Sequence, residues 1–301
     1  PLKPKSADFN TWRSAFFLWD LIFIGGIAGT LTRWGIDRVT LTFSNNYFTW
    51  SSLTFGVISV NLLGAFLLGY FKTSADRAGT HVNRLTLPIK LGITTGFLGA
   101  FTTFSALGIA AVSGELSFAN SDLWALGGRF CFTSILGLIL LVVGVLCVDL
   151  GSRLAGKDLP AECSNPDGKN GVVSSFGFVI LVGVSGGIGA LCRWGIDLTW
   201  RKPEKRYSYG GIALVNVVSC FLGGFVLSGV VTGHFEAGGS LFVLMVTGFL
   251  GGFSTFSTFV FDVFSLAQRG KWLRACGVLV LVWGASLLAA VVGLGIGVWL
   301  F

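Results

Sequence analysis

The sequence predicts an all-α integral membrane protein: two inverted four-helix repeats packed antiparallel, the third helix of each broken at the centre. Four observations predict it. Of the 301 residues, 53% are hydrophobic and only 12% are charged, about half the charge of an ordinary soluble domain. Many apolar runs reach the roughly 18 residues that span a bilayer as a helix. Three polar-in-apolar blocks then occur twice, in the same order: GIAGTLTRWGID at 26–37 and GGIGALCRWGID at 186–197, VNLL at 60–63 and VNVV at 215–218, GFLGAFTTFS at 96–105 and GFLGGFSTFS at 248–257. Finally, the basic residues change loops between the halves, as an inverted repeat requires.

Eight spans are readable, at about 16–39, 51–71, 87–112, 123–150, 172–196, 209–232, 241–267 and 272–301. They divide the chain into a polar leader (1–15), a first repeat (16–150), a polar linker (151–171) and a second repeat (172–301). In the first half Lys3, Lys5 and Arg13 precede span one, Lys72, Arg77 and Arg84 separate spans two and three, and Arg153 and Lys157 follow span four. The positive-inside rule puts these segments, and so the N-terminus, in the cytoplasm. In the second half Arg201, Lys202, Lys205 and Arg206 follow its first span, and Arg269, Lys271 and Arg274 follow its third. By the same rule the second half is inverted. Inversion needs an odd number of crossings before it, and four are read. Either a crossing helix is missing from this numbering or one span is misread; the charge pattern is the stronger guide. The start at Pro1, without Met or a hydrophobic signal segment, leads us to expect a truncated or renumbered chain.

Within these elements a few residues stand out against their apolar neighbours. The third spans join Gly to consecutive Thr or Ser, poor chemistry for a helix interior and good chemistry for an unwound backbone. Freed carbonyls bind cations and freed amides bind anions; the plain alternative is a kink with hydroxyls bonded to their own backbone. Asn61 and Asn216 carry two N–H donors each, suited to an anion or to bonding a neighbouring helix. Phe104, Phe256 and Phe259 read as packing, yet a ring has a positive edge that suits a small, hard anion in a narrow pore. Arg33 and Arg193 read equally as snorkelling anchors or as an electropositive vestibule, with Asp37 and Asp197 one turn on.

Other chemistries find little support. The six Cys form no CxxC pair, and His81 and His234 have no acidic cluster beside them, so metal and redox centres are not expected. The net charge of +7 lies in loops and reports orientation, not a nucleic-acid partner. No residue set supports chemistry on a substrate, and the chain reads as no enzyme.

Taken together, these motifs resemble those of the Fluc/FEX fluoride channels, the fluoride export proteins. The match covers about nine-tenths of the chain; Ser219 replaces the Gly of the Asn motif, Ala100 replaces a Gly and Leu107 a Phe. The fused double copy is similar to the eukaryotic, single-chain version, whose units are joined by an extra helix that this numbering lacks. The resemblance implies a dual-topology assembly with two pores and passive fluoride export through the plasma membrane. It places the pore at Asn61, Asn216, Phe104, Phe256 and Phe259, with the hydroxyls of Thr103, Ser105, Thr255 and Ser257, and with Ser134 and Ser286 of the fourth spans. It implies a central structural Na⁺ on the backbone oxygens of Gly99, Thr102, Gly251 and Ser254. One pore then pairs Phe104 with Phe259 and is expected to conduct; the other pairs Phe256 with Leu107. A Na⁺-coupled transporter of another small ion and a non-conducting membrane scaffold are the alternatives.

Overall fold

A computed structural model describes residues 9–43, 55–77, 86–113, 123–155, 176–200, 209–236 and 239–301. The predicted features at 1–8 and 156–171, with His81, Arg84, Cys163 and the cluster from Arg201 to Arg206, lie outside the described residues. Every described element is helical. The first repeat holds α1 (Phe9–Phe43), α2 (Phe55–Arg77), an interrupted third span and α6 (Leu123–Leu154). That third span is α3 (Thr86–Leu91), a π-helical stretch (Gly92–Phe97), α4 (Leu98–Phe101) and, past a break, α5 (Ser105–Ser113). The second repeat holds α7 (Phe176–Trp200), α8 (Gly210–Val231), the same interrupted span and α12 (Trp272–Leu300). Its pieces are α9 (Ser240–Phe242), a π-helical stretch (Val243–Leu250), α10 (Gly251–Phe253) and α11 (Phe256–Gln268). Several bounds differ from expectation: α1 begins within the predicted leader, α6 continues into the predicted linker, and α1, α2 and α7 end four to six residues later than predicted.

Among the described residues, seven spans are long and apolar enough to cross a bilayer, the third span of each repeat counting once. The helix α1 is not in that set; it carries Asp20, Arg33, Asp37 and Arg38. The chain is an integral membrane protein.

The two repeats meet where α1 crosses α7, and the crossing is antiparallel. Trp19, early in α1, packs on Trp194, late in α7, at 4.6 Å between ring centroids; Trp34, late in α1, packs on Phe178, early in α7, at 6.2 Å. Between them the helices approach through small residues, Gly26 on Ala190 and Gly186 on Thr30, which is how helices without a hydrophobic driving force gain contact in lipid. Since α1 and α7 are the same element of each repeat, the repeats are inverted. Within each repeat, spans two and four run parallel: Gly151 meets Phe66 and Ser74 bonds Ala155, while Gly293 meets Phe221 and Gly297 meets Ser228. One face of the molecule therefore gathers the ends of α2, α6, α7 and α11 and the starts of α8 and α12. Lys72 of α2 stands 4.1 Å over the ring of Phe261 in α11, and Arg274 of α12 donates to the Tyr209 hydroxyl beside α8. Basic residues of both repeats thus share one face, as the charge pattern anticipates.

Candidate functional site: the paired helix breaks

Both third spans break at the centre, between Thr102 and Phe104 and at Ser254 and Thr255. Thr102 and Ser254 are extended, with ψ of 148° and 159°. The asparagines hold each break open. Thr103 N–H donates to Asn61 Oδ1 and Asn61 Nδ2 donates back to the Thr103 carbonyl, both at 2.9 Å. Asn216 makes the same two-point bond with the Thr255 peptide at 3.0 and 3.1 Å. A helix would send those N–H groups to the carbonyls of Gly99 and Gly251 four residues back; the asparagines divert them. Each amide therefore binds its own repeat's backbone and keeps one Nδ2 hydrogen.

Hydroxyls from the two repeats interlock across the breaks. Ser254 Oγ accepts from the N–H groups of Phe104 and Ser105 at 3.3 and 3.2 Å and lies 2.9 Å from Ser105 Oγ and 3.1 Å from Thr103 Oγ1. Thr102 Oγ1 accepts from Ser257 N–H at 3.1 Å, donates to Ser257 Oγ at 2.9 Å and lies 3.3 Å from Thr255 Oγ1. Helix starts leave N–H groups without helical partners. Here Ser254 caps α5 of the opposite repeat, and Thr102 caps α11 of the opposite repeat. Thr102 Oγ1 also lies 3.2 Å from its own Leu98 carbonyl, a second acceptor for its single hydroxyl hydrogen. The sequence reading gives Thr102 and Ser254 backbone oxygens, or hydroxyls bonded to their own helix, and lacks the capping of the opposite repeat; a Thr or Ser at the same break position in both copies is the signal.

Arg33 and Arg193 are buried, 5% and 1% exposed, and neither snorkels. Arg33 donates to the Ala100 carbonyl at 3.2 Å and the Thr247 carbonyl at 2.6 Å. Arg193 donates to the Ser254 carbonyl at 3.3 Å and to the Thr95 carbonyl. Each guanidinium thus ties the break of its own repeat to the π-helical stretch of the other. Gly99 and Gly251 leave the room: a Cβ there would collide with Arg193 and Arg33 respectively. Arg33 also lines a cavity of about 280 Å³, with Trp34, Asp37, Thr103, Ser105 and Ser113.

The three Phe of the motif are fully buried. Phe104 and Phe259, from opposite repeats, meet at 5.3 Å with ring planes 83° apart. Phe256 lies with Leu107 in the same apolar cluster. The hydroxyls of Ser134 and Ser286 are buried; that of Ser286 lies beside the Cys220 thiol.

The profile of the family described as CrcB-like protein, Camphor Resistance (CrcB), matches residues 21–145 and again residues 180–294. The chain belongs to the CrcB-like family. Three proteins named fluoride-specific ion channel FluC are similar to part of it. The one from Francisella tularensis subsp. mediasiatica is 36% identical over 118 residues, covering 38% of this chain and 90% of its own length. That from Rhizobium leguminosarum bv. trifolii is 39% identical over 118 residues, 39% of this chain and 93% of its own. That from Chloroflexus aurantiacus is 33% identical over 123 residues, 40% of this chain and 95% of its own. No solved structure matches the chain. The CrcB-like profile and the repeated blocks thus divide the chain alike.

Proposed function

We propose that this protein is a passive fluoride channel that exports fluoride from the cytosol across the plasma membrane, with both repeats in one chain as in the eukaryotic members of the family it resembles. The pairing of Phe104 with Phe259 across the repeats, beside the crossed hydroxyls, carries this reading. Fluoride is small and strongly hydrated, so a conducting path must replace lost water without trapping the ion. Thr103, Ser105, Thr255 and Ser257, the remaining N–H of each Asn, and the buried hydroxyls of Ser134 and Ser286 supply sparse donors. Ring edges supply weak positive potential with no deep well. The named relatives, fluoride-specific ion channels, support the same ion. The shared basic face supports a cytoplasmic N-terminus.

A structural sodium belongs to this reading. The donor set fits it: the diverted amides release the carbonyls of Gly99 and Gly251, and Thr102 and Ser254 turn out of the helix. The Ser254 carbonyl already accepts from Arg193 at 3.3 Å and keeps a second lone pair. When bound, the ion would fix backbone dipoles of both breaks where the repeats cross.

One conducting pore is expected. Phe104 and Phe259 offer two ring edges, whereas Phe256 faces a path whose second position is Leu107, which has none. Fluoride efflux from vesicles tests it. Phe259→Ile should abolish efflux and Phe256→Ile should do little. The reverse order, or equal partial losses, would show two working pores or the wrong one assigned.

A further inference from the structure

Phe104 touches a third aromatic residue that the repeated motifs do not contain. Trp283 of α12, 4% exposed, packs on Phe104 at 5.8 Å between ring centroids with planes 74° apart. Its indole is pinned at the far side: Nε1–H donates to the Ser134 carbonyl of α6 at 3.0 Å. Gly137, one turn along α6, makes the space, since a Cβ there would collide with the indole. The ring of Phe104 is thus held between Phe259 and Trp283, nearly perpendicular to both. Such a ring cannot turn without losing two contacts, each worth about 0.5–1.5 kcal/mol beyond its area.

The arrangement is one-sided. By the matched contacts of spans two and four, Gly151 on Phe66 and Gly293 on Phe221, the position equivalent to Trp283 in the first repeat is Leu141, which is buried and carries no ring. Phe256, the counterpart of Phe104, has no aromatic partner among the described residues; its ring lies against the space at Gly144, where a Cβ would come within 2.6 Å of it.

We propose that Trp283 is a positioning residue of the Phe104 pore: it fixes the plane of Phe104, so that the ring edge keeps one direction and the pore keeps its preference for fluoride over larger halides. The proposal rests on the fluoride-channel reading. It applies to one pore only, because the other lacks both the indole and the second Phe.

The test is fluoride and chloride efflux from proteoliposomes holding the wild type, Trp283→Leu, Trp283→Phe, Gly137→Ala or Cys131→Ala, with folded protein quantified in each. Trp283→Leu should lower the fluoride-to-chloride permeability ratio about three- to tenfold, the rate equivalent of one aromatic pair. Trp283→Phe should restore most of the ratio, because the ring contact matters more than the N–H. Gly137→Ala leaves the indole intact but displaces it, and should lower the ratio too; it carries the test with Trp283→Phe if the Leu variant fails to assemble. Cys131→Ala, at an exposed position of α6, should match the wild type. A purely structural Trp283 would lower flux per vesicle and leave the ratio unchanged, and that result would overturn the proposal, as would wild-type ratios in Trp283→Leu or Gly137→Ala. A wild type that passes no fluoride would refute the channel reading instead.

Discussion

An asparagine side chain imitates a peptide group, and Asn61 and Asn216 use both ends of the imitation. Each takes one N–H and gives one to a peptide that has left its helix. Either residue changed to Ala leaves a buried N–H and C=O without partners, at a cost of about 1–3 kcal/mol. Asn61→Ala and Asn216→Ala should each lower the midpoint of thermal unfolding in detergent. An unchanged midpoint would mean that the freed peptide groups find other partners. The crossed caps are unequal. Ser254 serves two N–H groups of the opposite repeat and Thr102 serves one. Loss of a cap costs about 0.5–2 kcal/mol, so Ser254→Ala should destabilise more than Thr102→Ala, and the opposite order in the same melts would contradict the capping assignment.

The broken span is an element whose logic is partly legible in the sequence. Gly, Phe, Thr and Ser at matched places in both halves mark where the helix stops, because a run so poor in helix formers and rich in competing hydroxyls recurs only under a shared constraint. The π-helical stretches are not legible: Gly92–Phe97 and Val243–Leu250 carry no signature of their own, and their carbonyls acquire a purpose only when an arginine from the other repeat arrives. That destination explains why the vestibule and anchor readings of Arg33 and Arg193 stood level: one sequence places each residue on a helix but not against its partner helix. Trp283 is not legible because its counterpart in the first repeat is Leu141, so duplication, the strongest signal in the chain, is silent there. Gly251→Val tests the element directly, since any Cβ must expel the Arg33 guanidinium from its seat. Folded yield or transport should collapse, while Gly35→Ala, where a Cβ meets nothing within 4 Å, should behave as wild type. Full activity of Gly251→Val would remove the glycine seat from the account.

At the scale of the molecule, inversion was readable from loop charge, because basic residues settle on one side of a membrane irrespective of the fold. The helix crossing bears it out: Trp19 with Trp194 and Trp34 with Phe178 run in opposite senses. The count of crossings remains tied to residues 156–175, outside the described residues. Labelling of Arg77→Cys and Arg201→Cys in intact cells should come from the same side; opposite sides would mean parallel halves. The central claim, a passive pathway for fluoride, meets its most direct test in vesicles loaded with fluoride and no sodium gradient, with the membrane voltage clamped by potassium and an ionophore. Fluoride should leave down its own gradient at a rate set by voltage, while chloride stays behind. Retention of fluoride, or efflux only when a sodium gradient is imposed, would contradict the account.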